Sequence, residues 1–229
     1  AMPTRRVRSV VELMGLSLSQ VALPVFSEAE IEVERGDVVY VTGESGGGKT
    51  LLVRHLAEEM SKHPEFSPVE TSWNISVRMK KFGKKPIIDL VGKDEGEAVE
   101  VLSAAGLSDV YTWFRAVDEL SDGQRMRLMF ALAIDSGAKT VILDEFCSAL
   151  DRETAKATAY TFQKLARRKN LTLIVSTAIG DLLEDLNPSL LIVKHFGPHL
   201  DVRRLSPEPR PFSLLKDVEI VEGSLEDWR

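Results

Sequence analysis

Apolar residues along this chain fall into short β-branched runs separated by stretches of helical period. Residues 28–34 (EAEIEVE) alternate apolar and charged positions, which predicts an edge strand. Arg35-Gly36-Asp37 marks a turn, and residues 38–42 (VVYVT) predict a buried strand. A glycine-rich loop follows, after which Leu51, Leu52, His55, Leu56 and Met60 recur at helical spacing. Residues 74–82 (NISVRMKKF) alternate again and predict a strand. Residues 94–105 and 109–116 predict short helices separated by Gly106. From Asp122 to Ser136, the apolar positions Met126, Met129, Phe130, Ala133 and Ile134 share one helix face. Residues 140–146 (TVILDEF) read as a buried strand ending in acids, 152–169 as a long amphipathic helix, and 171–177 (LTLIVST) as another buried strand. A short helix at 181–186 stops at Asn187-Pro188, and 190–196 (LLIVKHF) returns to strand. Strands alternating with helices predict a largely parallel sheet with helices packed on it and functional loops at the carboxyl ends of the strands.

Composition narrows the class. The 229 residues are 44% hydrophobic and 28% charged, enough to bury a core without staples, and the one cysteine forms no intramolecular disulfide. One cysteine, no apolar run of membrane-spanning length and a start lacking a secretory h-region predict a cytoplasmic protein with no membrane partner. The formal net charge of -6 argues against a generally basic nucleic-acid binder. Arg5, Arg6 and Arg8, and Lys80, Lys81, Lys84 and Lys85, read first as solvated faces.

The candidate chemistry begins in the glycine loop. Gly43, Glu44, Ser45, Gly46, Gly47, Gly48, Lys49 and Thr50 satisfy the phosphate-binding pattern G-x-x-x-x-G-K-[ST], between a strand and a helix as that pattern requires. Glycines let backbone N–H groups approach phosphate oxygens, and the helix start adds its positive dipole end. Lys49 is then expected on the β- and γ-phosphates and Thr50 on Mg²⁺, with Leu51 completing the nucleotide-binding set. Asp144 and Glu145 leave the buried run Val141-Ile142-Leu143, a costly position for two carboxylates unless a cation or a reaction uses them. Asp144 is the expected Mg²⁺ ligand and Glu145 the catalytic residue that orients or deprotonates water.

Two further motifs carry a family resemblance. Leu120, Ser121, Asp122, Gly123 and Gln124 resemble the LSGGQ signature of ATP-binding-cassette (ABC) ATPases, with Asp122 in place of a glycine. Ser148, Ala149, Leu150 and Asp151 match the SALD D-loop that follows the acids in that family. The resemblance implies a P-loop NTPase fold of ABC type: an α/β domain with a mostly parallel central sheet, an antiparallel β part and a short helical subdomain. It implies an ATP hydrolase using ATP and Mg²⁺, and an ATP-dependent homodimer. In that dimer the signature of one chain, chiefly Ser121 and Gly123, completes the site on the other, and Asp151 links the two sites. The domain is expected over residues 1–204, with its helical subdomain at about 85–136.

The departures from the family bear on rate and partner. The switch histidine is missing: alignment on Thr177 puts Ala178 at that position, and alignment on Asp181-Leu182 puts Ile179 there. Neither side chain donates a hydrogen bond, so slow hydrolysis is expected. No Gln lies between Thr50 and Leu120 to fill the Q-loop. Phe26 reads first as a core residue, with adenine stacking as the alternative.

These absences favour a soluble ATPase that drives or regulates an attached module. The alternatives are the nucleotide-binding subunit of an ABC transporter, or an ATP-dependent assembly switch with little hydrolysis. Residues 85–92, LSDGQ, DEFCSALDRETA and DLLEDLNP also resemble archaeal ABC ATPases fused to a GNAT-type acetyltransferase. After the linker carrying Pro207, Pro209 and Pro211, residues 217–222 read as a strand and 223–228 as a capped first helical turn. Residues 205–229 are thus expected to open a second domain, with an acetyltransferase C-terminal to Arg229 and an RNA contact as further expected partners.

Overall fold

The computed structural model describes residues 4–15, 25, 30–178, 180–208 and 212. Helix α1 (Arg5–Leu13) is capped by Thr4, and strand β1 (Val38–Gly43) leads into α2 (Lys49–Ser61). Strand β2 (Val69–Thr71) precedes four helices: α3 (Ser72–Met79), α4 (Glu95–Ala104), α5 (Val110–Trp113) and α6 (Asp122–Asp135). Strand β3 (Thr140–Leu143), α7 (Arg152–Arg168), β4 (Thr172–Ser176) and α8 (Leu183–Leu186) follow. Strands β5 (Leu190–Lys194) and β6 (Leu200–Arg204) end the ordered series.

The strands form one sheet in the order β2-β3-β4-β1-β5-β6. All neighbouring pairs are parallel except β5 with β6. This is the expected α/β fold with a mostly parallel sheet and an antiparallel part. Side chains alternate across the sheet, so its two faces bury separate clusters. On one face Val38, Tyr40, Leu143 and Val175 meet Phe130, Phe146 and Phe162 from α6, the loop after β3, and α7. On the other, Val39, Val41, Ile142 and Ile174 pack against Leu52, Val53 and Leu56 of α2. Both faces are covered, which is why the strands read as continuous apolar runs.

Residues 74–82 are not a strand: α3 occupies Ser72–Met79. Thr71 accepts a hydrogen bond from Asn74 N at 3.3 Å and caps the helix. Ile75 and Met79 fit period 2 but are also spaced i, i+4, and these two are buried while Val77 between them is 55% exposed. The 28–34 expectation also fails where it is described. Residues 30–34 make no ladder, although Ile31 and Val33 pack on the α2 face of the core, so the alternation reports burial without pairing. The expected strand and helical turn at 217–228 lie outside the described residues.

The tightest constraint on the site end of the sheet is Gly43. Its φ is +130°, and a Cβ there would lie 2.0 Å from the Lys194 carbonyl oxygen on β5. Gly43→Ala should cost at least about 2 kcal/mol, combining left-handed strain with a backbone clash, read as a lower urea midpoint with unchanged slope.

Candidate functional site

The carboxyl ends of β3, β4 and β1 meet at a cavity of about 550 Å³. Among its lining residues are Lys49 and Thr50 from the glycine loop and α2, Asp144 and Glu145 after β3, and Ser176 and Ala178 from the end of β4. Ser45, Gly46, Gly48, Leu51 and Ser148 also line it, whereas Gly43, Glu44 and Gly47 are not among its lining residues.

The loop is built for a negative ligand. Gly46 (φ +79°) and Gly48 (φ +98°) hold backbone conformations that a side chain would strain. Gly48 sits at the N-cap of α2, and no side chain caps this helix. No acid occupies its first turn either, whereas α4 and α7 begin with Asp caps and acids. The leading N–H groups and dipole end of α2 are therefore left for something that enters the cavity. Lys49 folds back over the loop, its ammonium donating to the carbonyls of Gly43 and Glu44, both at 2.8 Å. Burial holds its pKa below the ordinary lysine value, with Asp144 acting in the opposite direction.

The acids leave the sheet through a strained turn. Glu145 and Cys147 have φ of +52° and +58°, uncommon for non-glycine residues. Phe146 N donates to the Ser176 carbonyl at 2.7 Å, pinning this turn to the end of β4, while the Phe146 ring packs in the core. The half-buried Asp144 and exposed Glu145 remain at the cavity. Ser72 Oγ accepts from Asp144 N at 3.1 Å, so the start of α3 also fixes the acid.

The signature residues lie outside this cavity. Ser121 caps α6, its Oγ accepting from Gln124 N at 3.2 Å and Gln124 Oε1 accepting from Ser121 N at 3.0 Å, a reciprocal capping box. Gln124 Nε2 also donates to Thr112 Oγ1 of α5 at 3.1 Å. Leu120 is buried beneath the cap, Asp122 is exposed in the first turn, and Gly123 is buried against Leu150. Asp151 caps α7 through Thr154 N at 2.9 Å, a bond that holds its carboxyl below the usual range. Of the SALD residues only Ser148 lines the cavity, and Leu150 packs against Gly123 of the signature.

Ala178 lines the cavity, while Ile179 and Phe26 lie outside the described residues. Sequence reading missed Ser176, Thr177 and Arg54, which also line it. The two hydroxyl residues end a run that marks a strand, and nothing local distinguishes them. Arg54 follows Lys49 at i+5 and lies 5.5 Å over the Trp73 ring. Phe196, just past β5, was also missed: it is 61% exposed, and its ring edge is 4.0 Å from where a Cβ on Gly46 would sit.

The profile of the family described as ABC transporter matches residues 26–148. The chain is 23% identical over 192 residues to an uncharacterized ABC transporter ATP-binding protein of Methanocaldococcus jannaschii, covering 72% of this chain and 66% of that one. It is 26% identical over 202 residues to the methionine import ATP-binding protein of Rhodospirillum rubrum, covering 76% and 57%. It therefore spans about three fifths of the length of these curated relatives. In fold it resembles a dimeric ATP-binding cassette in a post-hydrolysis state bound to ADP and Pi, with TM-score 0.59, 18% identity, and coverage of 80% of this chain and 91% of that one. It also resembles the ADP conformation of an ATP-binding cassette of an ABC transporter, with TM-score 0.60, 16% identity, and coverage of 79% and 85%.

Cys147, beside the acids, is fully buried, and burial pushes its thiol up to about 12. Iodoacetamide at pH 8.5 should label it at least about 100-fold more slowly in the folded chain than in urea, because both access and thiolate are withheld. Mass spectrometry of the alkylated protein checks this.

Proposed function

The chain belongs to the ABC transporter family, and from that premise we propose that it is the ATP-binding part of an ABC transport system. It binds ATP in the cavity at the ends of β1, β3 and β4, pairs with a second copy and hydrolyses ATP slowly. The observation that carries this reading is the convergence of Lys49, Thr50, Asp144 and Glu145 on one cavity at the carboxyl edge of a parallel sheet. The relatives favour a transport system over a free-standing engine: one is named for methionine import, and another, of Ehrlichia canis, for a lipoprotein-releasing system at 24% identity. A membrane partner thus replaces the expectation of none. No helix among the described residues is long and apolar enough to cross a membrane, so on this reading the partner supplies the spans. None of these relatives is described as an acetyltransferase fusion or an RNA binder, and the tail behind the acetyltransferase expectation lies outside the described residues.

The residues suit Mg²⁺. The Thr50 hydroxyl and Asp144 carboxylate are hard oxygen donors, and the described residues contain no group of three or more His, Cys, Asp or Glu able to cage an ion. That donor set matches a cation that keeps waters and takes its remaining ligands from phosphate. When bound, Mg²⁺ neutralises charge on the phosphate oxygens. Lys49 exchanges its two carbonyl partners for phosphate oxygens, and the first turn of α2 directs its N–H groups at them. Glu145 orients the attacking water and accepts its proton. Neither Ala178 nor Ile179, the two alignments of the family's switch histidine, has a side chain that donates a hydrogen bond, and this makes turnover slow. Ser121 and Gly123 sit outside their own chain's cavity and complete the partner copy's site from the N-terminus of α6.

The acids lie on the β3–β4 side of the glycine loop, so the phosphate chain ends there. The nucleoside end then extends the other way across β1 towards β5, where Phe196 offers its ring.

Lys49→Ala should weaken ATP binding about 10- to 100-fold, the equivalent of a charged hydrogen bond of roughly 1.5–3 kcal/mol, by equilibrium dialysis. Glu145→Gln should accumulate an ATP-dependent dimer on gel filtration that the wild type releases; a variant that stays monomeric removes Glu145 from the hydrolytic role. Affinity capture from solubilised membranes should recover an integral membrane protein, and recovery of an acetyltransferase alone would reinstate the soluble reading. Phe196→Ala should weaken ATP about 10-fold but leave inorganic triphosphate binding unchanged, in line with about 1–3 kcal/mol per stacked base. The same selective loss in Phe26→Ala instead would move the base to that residue.

A further inference from the structure

Ser176 carries a signal that the family motifs do not use. It is the last residue of β4, is 1% exposed, and its Oγ has no hydrogen-bond partner. A buried hydroxyl left unpaired costs about as much as a lost hydrogen bond, so it calls for an explanation. Other hydroxyls in the sheet are used: Thr172, at the start of the same strand, accepts from Gly36 N at 2.9 Å, and Thr140 donates to the Phe66 carbonyl at 2.8 Å.

The position of Ser176 narrows what its partner is. Along β4, Ile174 faces the α2 side of the sheet and Val175 the opposite side, so Ser176 faces α2, whose first turn holds Thr50. In the register Leu143 pairs with Val175 and Val41 with Ser176. Ser176 is therefore flanked by the chain leading to Asp144 on one side and by the strand leading to the glycine loop on the other. It lines the same cavity as Thr50 and Asp144. Its carbonyl holds Phe146 N, so the residue cannot swing away without releasing the acid-bearing turn.

We propose that Ser176 is a positioning residue for the magnesium ion: its Oγ accepts a hydrogen bond from a water in the ion's coordination shell. This rests on the nucleotide-site reading above. Mg²⁺ retains several waters when it binds through one carboxylate and phosphates, and those polarised waters need acceptors. Ser176 supplies one at the cavity wall formed by the end of β4. Thr50 and Asp144 would then hold the ion, directly or through water, while Ser176 would fix its hydration.

The test compares Ser176→Ala and Ser176→Thr with wild type, using Mn²⁺ as the probe ion and a nonhydrolysable ATP analogue. Mn²⁺ affinity in the analogue complex is read by electron paramagnetic resonance, analogue affinity by dialysis in EDTA, and Tm without any ligand. Ser176→Ala should lose about 10-fold in Mn²⁺ affinity, as outer-shell partners of bound metals do. It should keep its EDTA affinity and have an equal or higher ligand-free Tm, because an unpaired buried hydroxyl has been removed. Ser176→Thr should restore Mn²⁺ affinity. Unchanged Mn²⁺ affinity in Ser176→Ala would overturn the inference. An equal loss with and without metal would overturn it by assigning the hydroxyl to the nucleotide. A lower ligand-free Tm with intact metal affinity would overturn it in favour of a structural role. A wild-type chain that binds no analogue would overturn the nucleotide-site reading itself, a result distinct from these three.

Discussion

The parallel ladder through β3, β4 and β1 is the constraint on which the rest of the molecule depends. Parallel pairing aligns the carboxyl ends of the three strands along one edge, whatever their separation in sequence. Each strand arrives there with buried apolar residues and leaves with polar ones: Val41 before the glycine loop, Leu143 before the acids, Val175 before Ser176 and Thr177. The crossovers must be covered connections, and the helices that supply them cover both faces with separate clusters. A change that shifted β4 against β1 by one residue would exchange Ser176 with Val175 at the cavity and turn the buried set to the wrong face.

Strain is concentrated where the ladder ends. Glu145 and Cys147 adopt left-handed backbone conformations, and Gly43 meets the Lys194 carbonyl at a distance that excludes any side chain. Packing holds these turns: Phe146 and Cys147 are fully buried, and Phe146 N is tied to β4. The buried Lys194 extends the same bracing on the β5 side, donating to the carbonyls of His195 and Gly197, both at 2.5 Å. Burial lowers its pKa, and the turn it holds carries Phe196 beside Gly46. Rigid surroundings let a loop rich in glycine keep one shape.

What could be read in the sequence was whatever is encoded over a few consecutive residues. The glycine loop between β1 and α2, the acids after β3, and the capping box of Ser121 and Gln124 are contiguous, and their backbone requirements leave residue patterns. The α3 segment was misread because Ile75, Val77 and Met79 satisfy both periods, and only the Thr71 cap and the exposure of Val77 separate them. β2 and β6 escaped notice since three residues, or a run as polar as Asp201 to Arg204, carry no apolar period; their pairing comes from neighbours distant in sequence. Ser176, Arg54 and Phe196 were invisible for the same reason. Their meaning lies in what the fold brings beside them.

Two of the departures from the family pattern, the acid in the signature and the missing switch histidine, act on one electrostatic problem. Asp122 in the first turn of α6 is favourable for the helix itself, since an acid there offsets the dipole. On the proposed reading, however, that turn faces the phosphate chain bound by a second copy, and an acid in place of a glycine adds like charge across the interface. On the same reading the missing switch histidine, whether Ala178 or Ile179 takes its place, removes a side-chain donor from the other side of that phosphate. Both changes weaken the attraction that closes a nucleotide-bridged pair, while the glycine loop, Lys49 and Asp144 remain as the family has them. Binding within one chain is thus separated from closure between two. A chain so built holds its nucleotide on its own residues and closes a weaker pair with a second copy, which a membrane-embedded partner holding both would strengthen.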